Sequence, residues 1–391
     1  MAKHKNRAGI NGQSVPAGAP GNYPKSPKET TNQRFQLPEP GLAHLQRLTD
    51  ETGIFEHAHG INSDTKHGYC AEDVGRALIA VLKYSRYYSD PAVPRLAEIY
   101  LNYLKNSQTE DGRFHHRTCK EGRLSEEMAK GDAFGRVLWG LGYAAAHPLN
   151  PQTETQAKEL FDRALQCIAA SDIQKWIRAN AYSILGLCYY LKRYPESSQA
   201  RENLIRLADF LLELYEDNST SDWSWFEDHI SYDNARVPHC LFAAYETLKQ
   251  YKYMPPARQS LDFLIKVNFR DGQMLQAVGN RGWYMKGSEC PKFDQQPINT
   301  AGVVEACAAA YRILGLKKYK DRMISAFQWF LGHNILGLQI YDASSGGSYD
   351  GLCPDGLNKN QGAESTIMYL IANLTVREIL GLTPQTNVNQ P

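Results

Sequence analysis

Three pairs of an acid and an arginine recur along the sequence, each at the beginning of a strongly apolar segment. The pairs are Asp73 with Arg76, Asp132 with Arg136, and Asp233 with Arg236. Spacings of three and four residues place both members of a pair on one face of a helix. Aspartate also favours the first helical turn for backbone reasons, which explains any single pair equally well. Three pairs at the same end of successive helices instead predict one funnel lined with carboxylates and guanidinium groups.

A longer polar loop, residues 340–364, leads into the last apolar segment. It contains five glycines and one proline, which exclude a regular element over this stretch. A polar loop that ends at a helix N-terminus is a common way for a rigid scaffold to present side chains to a ligand. The side chains of this loop that we expect to contact a ligand are Tyr349, Asp355, Asn360, Gln361 and Glu364.

The loops before three other apolar segments combine aromatic rings with carboxylates, amides and histidine. These residues are His67, Tyr69, Trp223, Trp225, Glu227, Asp294, Gln295 and Gln296. Aromatic faces stack on the C–H faces of sugar rings, while neighbouring polar groups bond to the hydroxyls. The pattern therefore predicts a carbohydrate ligand. For the two tryptophans, anchoring of the loop in the core is an equal alternative.

Helical periodicity dominates the chain from residue 71 to residue 379, and helices of two kinds alternate. One kind is apolar on nearly every side and must be buried, whereas the other is amphipathic and lies outside. This alternation predicts an all-α fold, an (α/α)6 toroid with an inner and an outer ring of helices. The expected inner helices begin near residues 70, 132, 172, 233, 296 and 361. A short helix near residues 41–49 would be the twelfth, and residues 279–286 are the one candidate strand.

Composition limits the classes of partner. The chain has 391 residues, of which 42% are hydrophobic, and its formal net charge is +1. Such a charge gives no indication of nucleic acid, and no apolar run is long enough to span a membrane. Residues 1–40 are polar and lack the hydrophobic segment of a signal peptide. They predict a flexible tail before a single toroid domain, residues 41–391.

The cysteines and histidines give no indication of a metal site. None of the eight cysteines stands in a C-x-x-C motif, and four lie within apolar helical patterns. This usage is typical of reduced, buried thiols and predicts a cytoplasmic protein. His115 and His116 are adjacent but have no third ligand at metal spacing, and the usual nucleotide-binding motifs are absent. We therefore expect neither a metal nor another cofactor.

Several longer motifs carry a family resemblance. They include His-Gly-Tyr-Cys-Ala-Glu-Asp-Val-Gly-Arg-Ala-Leu, Tyr-Asp-Asn-Ala-Arg, Phe-Asp-Gln-Gln-Pro and Asn-Gln-Gly-Ala-Glu-Ser-Thr. Over residues 52–380 the sequence resembles a bacterial family of the six-hairpin glycosidase superfamily. Members of that family are encoded beside, or fused to, glycosyltransferases and mannoside-phosphorylase-type enzymes. The resemblance implies an (α/α)6 fold, a carbohydrate ligand and a glycosyltransferase as partner, but no settled reaction.

The leading functional hypothesis is an inverting glycoside hydrolase that acts on an oligosaccharide. Such a reaction needs a protonated carboxyl that protonates the leaving oxygen and an ionised carboxyl that activates water. Closure of the toroid would bring its first and last inner helices together, so we expect Asp73 as the base and Glu364 as the acid. Glu227 or Asp233 with Asp294 is the reserve pair. The expected sugar-binding residues are His67, Tyr69, Trp223, Trp225, Arg236, Gln295, Gln296, Tyr349, Asp355, Asn360 and Gln361.

Two alternatives remain at this stage. A sugar 2-epimerase on the same fold would use histidines as general acid and base, and the candidates are His67, His229, His239 and His333. A non-catalytic glycan-binding partner of a glycosyltransferase is the other. This chain has Glu72 and Gly131 where the related family usually has aspartate and glutamate, and these departures favour a loss of activity.

Overall fold

The computed structural model describes residues 35–168, 175–269 and 272–382. The chain divides after Leu37, and almost all the described residues belong to the second unit, Pro38–Pro391. Nearly all of the predicted tail lies outside the described residues, and so does the expected start of the third inner helix near residue 172. The second unit contains all the elements described below.

Twelve α-helices lie within the described residues and form two rings. The inner helices are α2 (Ala71–Tyr84), α4 (Asp132–Ala146), α6 (Ile177–Arg193), α8 (Arg236–Leu248), α10 (Pro297–Leu314) and α12 (Ala363–Leu380). The outer helices are α1 (Ala43–Arg47), α3 (Ala92–Ser107), α5 (Pro151–Cys167), α7 (Ser198–Asn218), α9 (Met254–Asn268) and α11 (Lys317–Gln328). Each inner helix packs against the next, and α12 packs against α2. The fold is therefore all-α, a closed (α/α)6 toroid, as the sequence predicts.

Apolar pattern decides which ring a helix joins. In α10 every residue from Pro297 to Ala310 is buried, so this helix is enclosed on all sides. In α5 only one face is buried, because its apolar residues recur every three or four positions. The short α1 packs against α12 and supplies the expected twelfth helix.

Glycine allows two neighbouring inner helices to approach closely. A Cβ added to Gly142 of α4 would collide with the carbonyl oxygen of Gly186 in α6. Conversely, a Cβ on Gly186 would lie 2.5 Å from the carbonyl oxygen of Leu138. The backbones of α4 and α6 are therefore in direct contact, and no side chain separates them at this point.

The described residues also contain nine short strands, most of which sequence reasoning missed. They are β1 (Phe55–His59), β2 (Asn62–Cys70), β3 (Arg117–Thr118), β4 (His229–Ile230), β5 (Tyr284–Met285), β6 (Tyr341–Asp342), β7 (Gly347–Ser348), β8 (Gly351–Cys353) and β9 (Gly356–Asn358). Only β5 falls within the one predicted candidate. The antiparallel β1–β2–β3 sheet matters most, because β2 ends at Cys70 and α2 begins at Ala71. This sheet thereby fixes the position at which the first inner helix starts.

Two further features concern the whole described part of the chain. No helix in it is long and apolar enough to cross a membrane. All eight cysteines lie among the described residues, and none of them forms a disulfide.

Candidate active site

A cleft of about 290 Å³ opens where α2 and α12 begin. Its residues come from the β1–β2 sheet, from the starts of three inner helices and from the loop before α12. Five of them carry carboxyl groups. The cleft is lined by Glu56, His57, Glu72, Asp73, Arg76, Gln296, Asp350, Asn358, Gly362, Glu364 and Ser365.

Arg76 joins the two residues that the sequence predicts as the catalytic pair. Its Nη2 lies 2.5 Å from Asp73 Oδ1, and its Nη1 donates to Glu364 Oε2 at 2.7 Å. Arg76 and Asp73 are almost completely buried, whereas 37% of the Glu364 side chain is exposed. Closure of the ring therefore brings Asp73 and Glu364 to one guanidinium group, with only Glu364 open to solvent.

Asp73 sits in an unusual environment for a carboxylate. Burial raises the pKa of Asp73, and the neighbouring Glu72 adds to this effect, while Arg76 opposes it. The Cys70 thiol also donates a hydrogen bond to Asp73 Oδ2 at 3.0 Å. Both carboxylate oxygens of Asp73 thus accept a hydrogen bond from the protein.

Glu72, beside Asp73 on α2, has the opposite electrostatic setting. It forms an ion pair with Arg136 of α4 and lies 3.7 Å from His116 Nε2. Burial opposes its ionisation, but Arg136 and His116 outweigh burial and hold the pKa of Glu72 well below its usual range. The nearby Glu72 carboxylate in turn raises the pKa of His116. Glu72 is therefore a permanent negative charge at the cleft.

Asp350 is a carboxyl group that sequence reasoning did not select for the site. It precedes β8, and the β8–β9 hairpin returns the chain so that the Gly362 N–H donates to Asp350 Oδ1 at 2.8 Å. Burial raises the pKa of Asp350, and the charge of nearby Glu364 acts in the same direction. The only signal in the sequence was the dense polar character of residues 340–364.

Glu56 closes the side of the cleft formed by the sheet. Arg117 holds both of its carboxylate oxygens, with Nη2 donating to Oε1 at 2.9 Å. Ligand atoms of Glu56, Cys70 and Asp73 lie within 4.8 Å of one another, which is close enough to surround a metal ion. The donor set does not fit one, because burial raises the pKa of the Cys70 thiol well above its usual value and arginines occupy both carboxylates.

The reserve catalytic residues lie outside the set that lines this cleft. Glu227 pairs with Arg178 at 3.4 Å, and Asp294 accepts a hydrogen bond from Arg281 Nε at 2.9 Å. Asp233 is fully buried. It is bonded to Tyr182 and to Arg236, another predicted sugar-binding residue that is equally buried. A substrate cannot reach Asp233 or Arg236 in this structure.

Several predicted sugar-binding side chains belong to the core. Trp223 and Trp225 are 4% and 0% exposed, so neither face of these rings is available to a sugar. Tyr69 is buried and donates to Asp50, while Gln295 accepts from Trp329 Nε1 at 2.8 Å. Gln361 is also buried, with bonds to Ser345 and Asp342. Aromatic and amide residues in these loops serve to anchor the loops, which was the stated alternative for the tryptophans.

The remaining predicted binders lie at or near the surface. Gln296 lines the cleft, and Asn360 Oδ1 accepts from the Gly60 N–H at 3.1 Å. Tyr349 is half-buried and Asp355 is exposed. His67 packs edge-on against the ring of His57, at 4.8 Å between centroids.

The histidines proposed for an epimerase do not meet in the cleft. His239 is buried beside Arg236, and His333 is exposed on the loop after α11. His229 bonds to Asp228 Oδ1 at 2.8 Å. The histidines that do lie at the cleft are His57, which lines it, and His116, which lies beside Glu72.

Solved structures with the same architecture include both epimerases and glycosidases. A sugar epimerase from a ruminal bacterium is 15% identical, over 88% of this chain and 95% of that chain, with a TM-score of 0.65. The cellobiose 2-epimerase of Spirochaeta thermophila is 11% identical, over 86% and 93%, with a TM-score of 0.66. An inactive variant of an α-1,6-mannanase from Salegentibacter, in complex with α-1,6-mannotetrose, is 10% identical over 86% and 96%, with a TM-score of 0.58.

The chain shares the (α/α)6 toroid fold of these solved structures. No protein-family model and no curated protein sequence matches it. At 10–15% identity the likeness establishes the fold, so the chemistry must be argued from the cleft of this six-hairpin toroid itself.

Proposed function

We propose that the protein is a carbohydrate-active enzyme, and specifically a glycoside hydrolase whose reaction takes place in the Arg76 cleft. The observation that carries this proposal is the pair Asp350 and Glu364. Both carboxyl groups line one cleft, yet their surroundings differ in a way that suits opposite roles. Hydrolysis of a glycosidic bond requires one carboxyl that is protonated and one that is ionised.

Asp350 fits the general acid. Burial and the charge of Glu364 both disfavour its ionised form, so a proton is retained to higher pH than on an ordinary carboxyl. None of its described hydrogen bonds comes from an arginine, in contrast to Asp73 and Glu56. A protonated Asp350 could donate its proton to the leaving glycosidic oxygen.

Glu364 fits the general base. Arg76 Nη1 donates to it at 2.7 Å and places a positive charge beside the carboxyl group, and its exposed surface gives water access. This assignment reverses the role that sequence reasoning gave to Glu364. Asp73, the base expected from the sequence, becomes a positioning residue that orients Arg76 towards Glu364.

The comparisons support a carbohydrate as substrate. The mannanase variant of the same fold is a complex with a tetrasaccharide, and the epimerases act on sugars as their names state. The cleft offers partners for sugar hydroxyls, because its carboxylates lie beside the amide groups of Gln296 and Asn358.

The proposal is tested with conservative substitutions and two substrate series. Wild type is incubated with α-1,6-manno-oligosaccharides and β-1,4-gluco-oligosaccharides, and released reducing ends are measured. Glu364→Gln and Asp350→Asn keep the side-chain shape, and each should lower the rate by roughly 10²–10⁴-fold, the contribution of a general acid or base. Glu289→Gln, a change to an exposed acid on the loop after β5 that does not line the cleft, is the control and should leave the rate unchanged.

Activity that persists in both Glu364→Gln and Asp350→Asn would contradict the assignment. Binding without turnover by wild type would contradict hydrolysis and favour the glycan-binding alternative.

A sugar 2-epimerase is the second candidate, and two observations favour it. The two epimerase structures match with TM-scores of 0.65 and 0.66, above the 0.58 of the mannanase complex. His57 and His116 also lie at the cleft, although neither was among the histidines first selected. An epimerase would incorporate solvent deuterium at C2 of the sugar, and His116→Asn would suppress this exchange. Release of reducing ends without exchange excludes it.

A further inference from the structure

An exposed tryptophan stands beside the catalytic end of the toroid, where sequence reasoning did not look for one. Trp176 caps the start of α6 and is 55% exposed, in contrast to the buried Trp223 and Trp225. Its indole ring lies against the backbone of Gly131, the residue that caps α4. A Cβ at Gly131 would lie 3.2 Å from Trp176 Cδ1, so the absence of a side chain there lets the ring approach the backbone.

Several polar side chains lie close to Gly131 and Trp176. Asp132 follows Gly131 directly and accepts a hydrogen bond from the Tyr232 hydroxyl. The Arg178 guanidinium lies 4.9 Å from the centre of the Tyr232 ring and pairs with Glu227 at 3.4 Å. These charged side chains are partly exposed, so they can form further hydrogen bonds at the end of the toroid where the inner helices begin.

A second aromatic ring lies on the other side of Tyr232. Trp283 is half-exposed, and its ring centre lies 6.2 Å from that of Tyr232. The group of Trp176, Asp132, Arg178, Glu227, Tyr232 and Trp283 is called the rim subsite below. It combines aromatic faces with carboxylate and guanidinium groups, the composition that binds a sugar ring.

Arg136 contacts both the rim subsite and the cleft. This arginine forms the ion pair with Glu72, which lines the cleft. Its guanidinium also lies 5.8 Å from the centre of the Tyr232 ring. One buried cation therefore contacts both places, which makes the rim subsite a neighbour of the cleft.

We propose that the rim subsite binds a distal, neutral sugar unit of the same oligosaccharide whose glycosidic bond lies in the Arg76 cleft. This inference rests on the proposed function, because it takes the cleft as the reaction site. Two carboxylates against one guanidinium give the rim subsite a net negative charge, which disfavours uronic acids and sugar phosphates. The substrate is accordingly an oligosaccharide longer than a disaccharide.

Chain-length dependence tests the proposal. Binding of α-1,6-mannose and β-1,4-glucose oligomers of two, three and four units is measured by calorimetry. For wild type, affinity should rise with length in one of the two series. Trp176→Ala should weaken binding of the tetrasaccharide by roughly tenfold, the scale of one lost aromatic contact, and leave the disaccharide unchanged. Trp176→Phe, which keeps an aromatic face, should restore most of the loss.

Tyr251→Ala is the matched control, because Tyr251 is 71% exposed on the turn after the opposite end of α8 and should have no effect at any length. Equal affinity of wild type and Trp176→Ala for every oligomer would overturn the proposal. Affinity that does not rise with length in either series would overturn it as well. If Trp176→Ala loses the length increment while wild type cleaves neither series, the rim subsite stands and the hydrolase fails. If Glu364→Gln abolishes cleavage but Trp176→Ala binds every oligomer as wild type does, the hydrolase proposal stands and the rim subsite fails.

Discussion

At the scale of single residues, sequence motifs selected some of the residues that line the cleft and missed others for a physical reason. Asp73 and Glu364 could be selected because each stands at the start of an apolar helix, and they meet at Arg76. Asp350 could not, because its position depends on how a hairpin returns to Gly362. Trp223 and Trp225 illustrate the converse limit, since the sequence shows an aromatic residue but not whether its face is exposed.

The raised pKa of Asp350 predicts a pH-dependent cost of stability. A group whose pKa is higher in the folded state stabilises the fold below its unfolded pKa, near 3.9, and this contribution is lost as pH rises through the folded value. Asp350→Asn has no ionisable group at this position, so it does not lose this stabilisation as pH rises, and its amide oxygen can still accept the Gly362 N–H. We expect its stability relative to wild type to increase as pH rises from about 4 to 8.

Denaturant unfolding at several pH values measures this effect, with Asp355→Asn as the control. A stability difference between Asp350→Asn and wild type that is the same at every pH would contradict it.

The Asp73–Arg76 pair predicts a strong, partly recoverable loss of stability. Both groups are buried, so removing one leaves the other as an unpaired buried charge. Arg76→Met should therefore destabilise the fold by about 3–5 kcal/mol. The double variant Arg76→Met with Asp73→Asn should be more stable than Arg76→Met alone, because the stranded charge is neutralised.

A double-mutant cycle in urea gives the coupling free energy between Asp73 and Arg76. Additive effects of the two changes would show that the ion pair has no net role in stability.

At the scale of elements, helices were predictable and strands were not. Apolar periodicity is continuous over each inner helix, so the sequence shows where each of these helices lies. Their first residues were less predictable, because α6 begins at Ile177 and α8 at Arg236, a few residues later than expected. The β1–β2 hairpin, in contrast, is rich in His, Asp, Ser and Thr and has no regular alternation of buried and exposed residues. The β1–β2 hairpin is partly exposed, so it lacks the apolar pattern that identifies a strand.

The close contact between α4 and α6 predicts that a single methyl group there is costly. Gly142→Ala would place its Cβ against the carbonyl of Gly186, and backbone atoms cannot move aside as a flexible side chain can. We expect a destabilisation of roughly 1–3 kcal/mol or more, as for other overpacked cores.

The change is measured as a shift of the thermal midpoint. Gly41→Ala, where an added Cβ meets nothing within 4 Å, is the control and should shift it little. Equal midpoints for the two variants would contradict the contact.

At the scale of the whole molecule, the fold followed from one property of the sequence, the alternation of buried and amphipathic helices. Closure of the ring could be expected from that alternation, but the contacts that close it could not be. They include Lys83 of α2 with Glu378 of α12, 3.2 Å apart at the opposite end from Arg76 and Glu364. Both ends of the α2–α12 seam are therefore joined by an ion pair.

Glu378 predicts how the closed ring responds to acid. Burial opposes its ionisation, but Lys83 and Arg312 lower the pKa of Glu378 to about 2. A group with a lowered folded pKa stabilises the fold above its unfolded pKa, about 4.3, and this contribution disappears as pH falls towards the folded value. Glu378→Gln should therefore cost roughly 3 kcal/mol at neutral pH and almost nothing near pH 2.

Chemical denaturation of wild type and Glu378→Gln across this pH range measures the difference, and Glu246→Gln, in a more exposed ion pair with Lys192, should show little of it. A difference that does not depend on pH would exclude Glu378 as the acid-sensitive group of the seam.

The β8–β9 hairpin has a consequence for how such an enzyme could diversify. Asp350 precedes the hairpin and Glu364 lies in the first turn of α12, fourteen positions later, so the separation of their carboxyl groups depends on how the hairpin is joined to α12. In glycosidases that separation decides whether the anomeric configuration is inverted or retained. Inserting or deleting residues between Asn358 and Gly362, which join the hairpin to α12, would therefore alter the stereochemical outcome. The reaction type of such an enzyme could thus change through one short connection, with the number and order of the helices unchanged.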